Sequence, residues 1–376
     1  MIRTHKVGQK IKKLFAPLDP MMVVILLLIT IVSVVSMYSA STDKPIRFSR
    51  HLENLAVCWA VIVAFAYTPP KVFARLAVPI YVLGVVLLVA VALFGEVRLG
   101  ARRWIFGFQP SELLKLGVPL MIAFYFQNSG NAQGKQLWRV FGIAVLLFAM
   151  PFLLIAKQPD LGTGLLVAAA GVYVIYFAGL SWRVIAALVG SAVVGVGVLY
   201  ELLKNDVQII EKVLHGYQLK RIKVLFGLID DAKGAGYHIA NAKVAIGSGG
   251  WLGKGWMDGT QSQLQFIPEK STDFLLAVYS EEFGLIGVIL LLVLYLLLIS
   301  RGLSIAHMAQ TRFDRLLAGS LSMIIFTYVF VNMGMVAGIL PVVGVPLPFM
   351  SYGGTALVTL GVACGMLMSI RHHRIR

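Results

Sequence analysis

Asp273 stands where a long polar segment, 254–272, meets the apolar run 274–298. A carboxylate at the border of hydrocarbon costs about 3 kcal/mol on insertion scales, so such a group is kept for chemistry, transport or ion pairing. The structural alternative is an acidic first turn favoured by the helix dipole, with Ser271 or Thr272 placed to cap the helix that follows. Glu281 and Glu282 lie two to three turns deeper in the same run, and this concentration of carboxylates exceeds what capping requires.

Two further groups of residues could act with it. Glu112 and Lys115, in Phe108-Gln109-Pro110-Ser111-Glu112-Leu113-Leu114-Lys115, are three apart at a helix start and share one face. They can pair structurally, and the lysine is also a natural partner for phosphate. Asp160 lies in Gln158-Pro159-Asp160-Leu161-Gly162-Thr163, where the proline and glycine describe a bent helix entry or an ordinary acidic first turn. Arg102, Arg103, Lys220, Arg221 and Lys223 add positive charge to segments that the topology below places outside the cell. An anionic ligand would explain it, as would the exemption of long loops from the charge rule.

The run from Gly247 to Gly255, with Lys254, resembles a phosphate cradle but fails as a P-loop, because Ser248 and Gly255 occupy required positions. It reads either as a donor-rich loop able to close over a headgroup or as plain turn-forming glycine. The uncharged Pro/Gly-rich elbow 341–354 must be buried in protein or at the interface.

The elements that position these residues follow from composition. Of 376 residues, 59% are hydrophobic and only 13% charged, so the chain is a polytopic membrane protein. Backbone groups in lipid must be satisfied internally, which makes the fold all-α. Apolar windows at 21–37, 55–67, 76–94, 113–126, 140–156, 161–180, 184–203, 274–300, 316–340 and 355–370 give about ten transmembrane helices in a single integral membrane domain. Lys and Arg concentrate in the N-terminal segment, the C-terminal tail and alternate connections, which makes both termini cytoplasmic. Residues 1–20 form a cytoplasmic segment and an uncleaved start, 204–272 one large external loop between the seventh and eighth helices, and 371–376 a cytoplasmic tail.

The net charge of +16 fits basic loops against anionic headgroups; without a basic, aromatic-interleaved module, nucleic acid is not the partner. Cys58 and Cys364 sit in apolar runs, and the scattered histidines suggest no transition-metal site.

Together, the segments 108–112, 158–163, 247–250, 269–274, Glu281-Glu282-Phe283-Gly284 and 341–354 resemble the SEDS family (shape, elongation, division and sporulation), closest to its rod-shape branch, over essentially the whole chain. The resemblance implies a peptidoglycan glycosyltransferase polymerising lipid II at the outer face of the bacterial inner membrane during cell elongation. It implies a class B penicillin-binding protein as transpeptidase partner, alongside other membrane proteins of the elongation complex. By position, Asp273 matches the family's essential aspartate, and Glu112, Lys115 and Asp160 its polar positions near the lipid groove. The sequence Ile267-Pro268-Glu269-Lys270-Ser271 stands where many members carry an Arg-His or similar pair before the Thr-Asp, which leaves the base in place and alters only local charge balance.

An inverting transfer from an α-linked diphosphate needs a base for the incoming hydroxyl and stabilisation of the departing diphosphate. Asp273 would be the base. Arg103, Lys115, Arg221, Lys243 or Lys254, with a divalent cation such as magnesium or manganese, would neutralise the diphosphate, and Glu112 would orient Lys115. A lipid II flippase suits the same residues, although no inverted repeat is evident. A scaffold recruiting the transpeptidase and the division-specific branch are the other readings.

Overall fold

The computed structural model describes residues 16–98, 101–104, 109–130, 135–158, 160–205, 219, 222–224, 226, 228–229, 235–264, 266–267 and 269–374. Helices dominate, as a lipid solvent demands. They are α1 Pro20–Ala40, α2 Pro45–Tyr67, α3 Pro70–Phe94, α4 Pro110–Asn128, α5 Lys135–Lys157, α6 Leu161–Phe177, α7 Trp182–Lys204, α8 Ala235–Gly249, α9 Thr260–Gln263, α10 Leu275–His307, α11 Arg312–Val336 and α12 Gly354–Arg374. A small antiparallel hairpin, β1 Glu96–Arg98 and β2 Ala101–Trp104, joins α3 to α4. Pro20, Pro45, Pro70 and Pro110 open their helices where the missing N–H is harmless.

Every apolar window of the sequence falls on a helix. Among the described residues, seven helices (α1, α2, α3, α5, α10, α11 and α12) are long and apolar enough to cross a membrane. The most apolar stretches of α11 and α12 are 78% buried, against 22–39% for the other five, so these two helices form the centre of the bundle and the rest present apolar side chains outward.

The bundle has two polar ends. At one, Asp19 caps α1 by accepting from the Met22 N–H at 2.8 Å, and its fully buried carboxylate meets Arg301 at 2.6 Å and Arg371 at 2.7 Å. At the other, Lys270 pairs with Asp43 at 3.2 Å, Arg47 donates to the Ser271 hydroxyl at 2.8 Å, and the Tyr352 N–H donates to the Ser271 carbonyl at 2.9 Å. Lys270, close to Asp273 in sequence, is thus engaged by Asp43 and the Ser262 carbonyl.

Several elements depart from expectation. Helix α2 starts ten residues before its apolar window, its polar first turns carrying the buried His51. The segment 204–272 is not simply a loop: α8 lies within it and packs Ala242 and Ala245 into the core. Helix α12 runs to Arg374, so the tail begins inside a helix.

Helix α10 is broken at Gly284, where φ is 62° and ψ −166°. The break strands backbone groups in an apolar setting, and the glycine-rich run satisfies them. Leu285 and Ile286 donate to the carbonyls of Gly250 and Trp251 at 2.9 and 3.1 Å, while Lys254 and Gly255 donate back to the carbonyls of Glu281 and Glu282 at 3.0 and 3.1 Å. A Cβ on Gly253 or Gly284 would collide with the opposing backbone. The run is therefore a splice across a broken helix, with the N–H groups of Gly253, Lys254 and Gly255 engaged, and not a loop free to close over a headgroup.

Candidate active site

Asp273 occupies the turn 269–274 that leads into α10, and it is half-buried. The helix is capped by neither expected residue. Its N-cap is Phe274, without a side-chain bond. Ser271 instead accepts from Arg47, and the Thr272 hydroxyl donates to the Glu269 carboxylate at 2.8 Å. Stronger local partners take both hydroxyls, and the turn is fastened another way. The Asn332 side-chain amide donates at 2.9 Å to the Asp273 carbonyl and at 2.8 Å to the Val345 carbonyl. One buried residue of α11 thereby joins the aspartate's turn to the elbow between α11 and α12.

The elbow is buried in protein, as its uncharged composition requires: Val342, Val345, Leu347, Phe349 and Met350 are all core residues. Tyr295 donates to the Pro348 carbonyl at 2.6 Å, and the Ser351 hydroxyl accepts from the Leu347 N–H at 3.0 Å. Two glycine contacts locate the acids around it. A Cβ on Gly344 would lie 3.5 Å from Asp273 Oδ2, and one on Gly162 would collide with the Val343 carbonyl. The elbow thus runs between Asp273 and the start of α6.

Asp160 is the N-cap of α6, buried, accepting from the Thr163 N–H at 3.3 Å and from Gln109 Nε2 at 2.9 Å. Gln109 precedes α4, whose first turns carry Glu112 and Lys115. Their ion pair measures 2.6 Å and both are buried. The Lys115 ammonium also donates to the Tyr328 hydroxyl at 2.7 Å, and Thr359 donates to Glu112 Oε2 at 3.2 Å. Tyr328 and Asn332 are four apart on α11 and share one face. A single buried helix therefore carries the contacts to both Lys115 and the Asp273 turn.

The other candidate cations divide. Lys243 is exposed on α8, its side chain lying over Gly338 just beyond α11. Lys254 is committed to Glu281 at 2.7 Å and Thr260 at 2.7 Å. The side chain of Arg103 and all of Arg221 lie outside the described residues. Glu281 is fully buried and accepts from Lys254, the Thr260 hydroxyl at 3.1 Å, and the N–H groups of Gln261 and Ser262 at 3.0 and 3.2 Å. Glu282 accepts from Ser39. The Glu281 carboxylate serves the splice, while Glu282 joins it through its carbonyl and leaves Oε2 buried without a hydrogen-bond partner.

Among the described residues, no three His, Cys, Asp or Glu side chains converge on a metal position. A magnesium or manganese ion here would draw its ligands from substrate phosphates and a carboxylate, an arrangement magnesium favours. Tyr328, Asn332 and Thr359 were not apparent as site residues. The available signal was polar groups inside otherwise apolar helices, two of them one turn apart.

The profile of the FtsW/RodA/SpoVE cell cycle proteins matches residues 14–376. The chain belongs to this family. Peptidoglycan glycosyltransferase MrdB of Escherichia coli K12 is 47% identical over 361 residues, covering 95% of this chain and 94% of its own. The probable peptidoglycan glycosyltransferase FtsW of Geobacter metallireducens is 35% identical, covering 83% and 81%. In structure, the chain is similar to one from a peptidoglycan synthase complex that coordinates polymerization and crosslinking, with a TM-score of 0.76, 26% identity, and coverage of 95% and 98%. The rod shape determining protein RodA of Thermus thermophilus superposes with a TM-score of 0.68 at 25% identity, over the same shares of the two chains. The FtsW/RodA/SpoVE match contains α4, α6, α10, α11 and the elbow entire, so the site sits within the family's shared architecture.

Proposed function

We propose that this chain is a peptidoglycan glycosyltransferase that polymerises lipid II at the outer face of the bacterial inner membrane, through an inverting transfer with Asp273 as general base. In this reading ten helices cross the membrane, both termini are cytoplasmic, and the Asp273 end of the bundle faces outward. The observation that carries it is a half-buried carboxylate held by its main chain beside the elbow, on the helix that also fixes the buried Lys115. The 47% identity to a peptidoglycan glycosyltransferase across nearly the whole chain supports the same reaction.

The incoming sugar hydroxyl gives its proton to Asp273 as its oxygen bonds to the anomeric carbon. The bond from that carbon to the diphosphate breaks, and the lipid diphosphate leaves with the electron pair. General base catalysis of this kind is worth roughly 10² to 10⁴ in rate. Lys115 spends two donors on Glu112 and Tyr328, and in this reading its third N–H would serve the departing phosphate. Glu112 and Thr359 orient it, Asp160 shapes the entry of α6, and the exposed Lys243 supplies a further cation, as would Arg103 and Arg221. Lys254 belongs to the splice. A divalent cation carried by the diphosphate would add counter-charge.

The partner is a class B penicillin-binding protein, consistent with the relative solved in a complex coupling polymerization to crosslinking. The 47% identity to MrdB of Escherichia coli, against 35% to FtsW of Geobacter metallireducens, favours elongation over division. Purified protein supplied with lipid II in detergent tests the assignment. Micelles have no second compartment, so glycan strands mean an enzyme, and intact lipid II would reject it in favour of a transporter or scaffold.

A further inference from the structure

We propose that Asn332 is a positioning residue for polymerisation, holding the Asp273 turn against the elbow so that the carboxylate keeps its aim. The inference rests on Asp273 being the base. Asn332 is fully buried in α11, and its one amide nitrogen bridges the carbonyls of Asp273 and Val345, segments far apart in sequence. Both partners are acceptors, so the nitrogen must face them and the orientation of the amide is unambiguous.

That orientation leaves Asn332 Oδ1 buried without a hydrogen-bond partner. Burying an orphaned carbonyl is unfavourable, and an apolar side chain of similar volume would avoid it. The amide therefore calls for a role beyond packing, and its two bonds define one. They clamp the main chain of the aspartate to the strip of elbow, Gly344 and Val345, that its carboxylate faces. Tyr328, one turn earlier on the same face, holds Lys115. Base and cation are thus indexed to one rigid helix. A misplacement of about 1 Å at such a site costs on the order of 10²-fold in rate.

The test compares Asn332→Leu with the parent protein on lipid II in detergent. The expected result is a kcat lowered about 10²-fold with KM within about twofold. The acidic limb of the pH–rate profile, which reports the base, should also move by about half a pH unit or more as the carboxylate leaves its surroundings. A purely structural defect would lower the rate at all pH values in step with the folded fraction and leave the limb in place. Should the Leu variant fail to accumulate, Asn332→Gln, which retains the amide on a longer stem, should show a smaller loss with the limb still displaced. Wild-type kcat in the tested variant, or a rate loss matched by lost folded protein with an unmoved limb, overturns the proposal. Wild-type polymerisation by Asp273→Asn would instead remove its basis, the base assignment itself, and that variant is assayed in parallel.

Discussion

Asp273 and Glu281 stand eight residues apart in one stretch of chain, and the protein treats them in opposite ways. Glu281 is fully buried, and each of its oxygens is occupied by donors from the 248–262 segment. Asp273 is half-buried and fastened through its carbonyl, by a helix distant in sequence. Fixing a carboxylate by its oxygens makes a structural anion whose proton affinity is committed to its donors. A bond to its main chain sets the position of Asp273 without drawing on the carboxylate. Glu281 thus belongs to what holds this end of the bundle together, and Asp273 to a turn fastened against the elbow.

The contrast breaks most visibly at Asp273. Asp273→Ala should lower lipid II polymerisation by about 10² to 10⁴ while membrane level and thermal midpoint stay near those of the parent. Next comes the cation fixed by the same helix. Lys115→Met should cost roughly 10² to 10³ in kcat, the scale seen when one preorganised donor is lost. Lys115→Arg should not restore it, because a planar guanidinium cannot meet Glu112 and Tyr328 as a compact ammonium does. Glu281→Ala should behave in the reverse sense. Stability should fall by about 1–3 kcal/mol as buried donors lose their acceptor, read as a lower thermal midpoint, while rate per folded molecule is nearly unchanged.

The smallest effect belongs to the far end of the bundle. Burial works to raise the Asp19 carboxyl, but the Arg301 and Met22 hydrogen bonds and the Arg371 charge outweigh it and hold it below its ordinary value of 3.8. A depressed folded pKa contributes stability that is full above the unfolded value and is lost as pH falls through the folded one. Asp19→Asn should therefore flatten the loss of thermal stability below about pH 4 and leave the neutral-pH polymerisation rate unchanged.

Much of this site can be read from the chain. The three-residue spacing of Glu112 and Lys115 gives their pairing, and the bent entry at Asp160 is its N-cap role in α6. The helices follow from hydropathy because lipid allows the backbone little else. What stays hidden depends on contacts between distant segments. A glycine inside the apolar run of α10 carries no local mark of a break, and only the splice reveals why 247–255 is rich in glycine. Ser271 and Thr272 have capping chemistry, yet Arg47 and Glu269 compete for their hydroxyls. Tyr328 and Asn332 lie in a window that reads as a plain span, and their role depends on what α4 and the elbow bring to them.

The most direct measurement is the initial rate of glycan formation from lipid II by purified Asp273→Asn, inserted and folded as the parent is. The isostere keeps the shape of the side chain and removes its capacity to accept a proton. The predicted result is loss of all but a small residual rate; strand synthesis at the parental rate would contradict the assignment of Asp273 as the base.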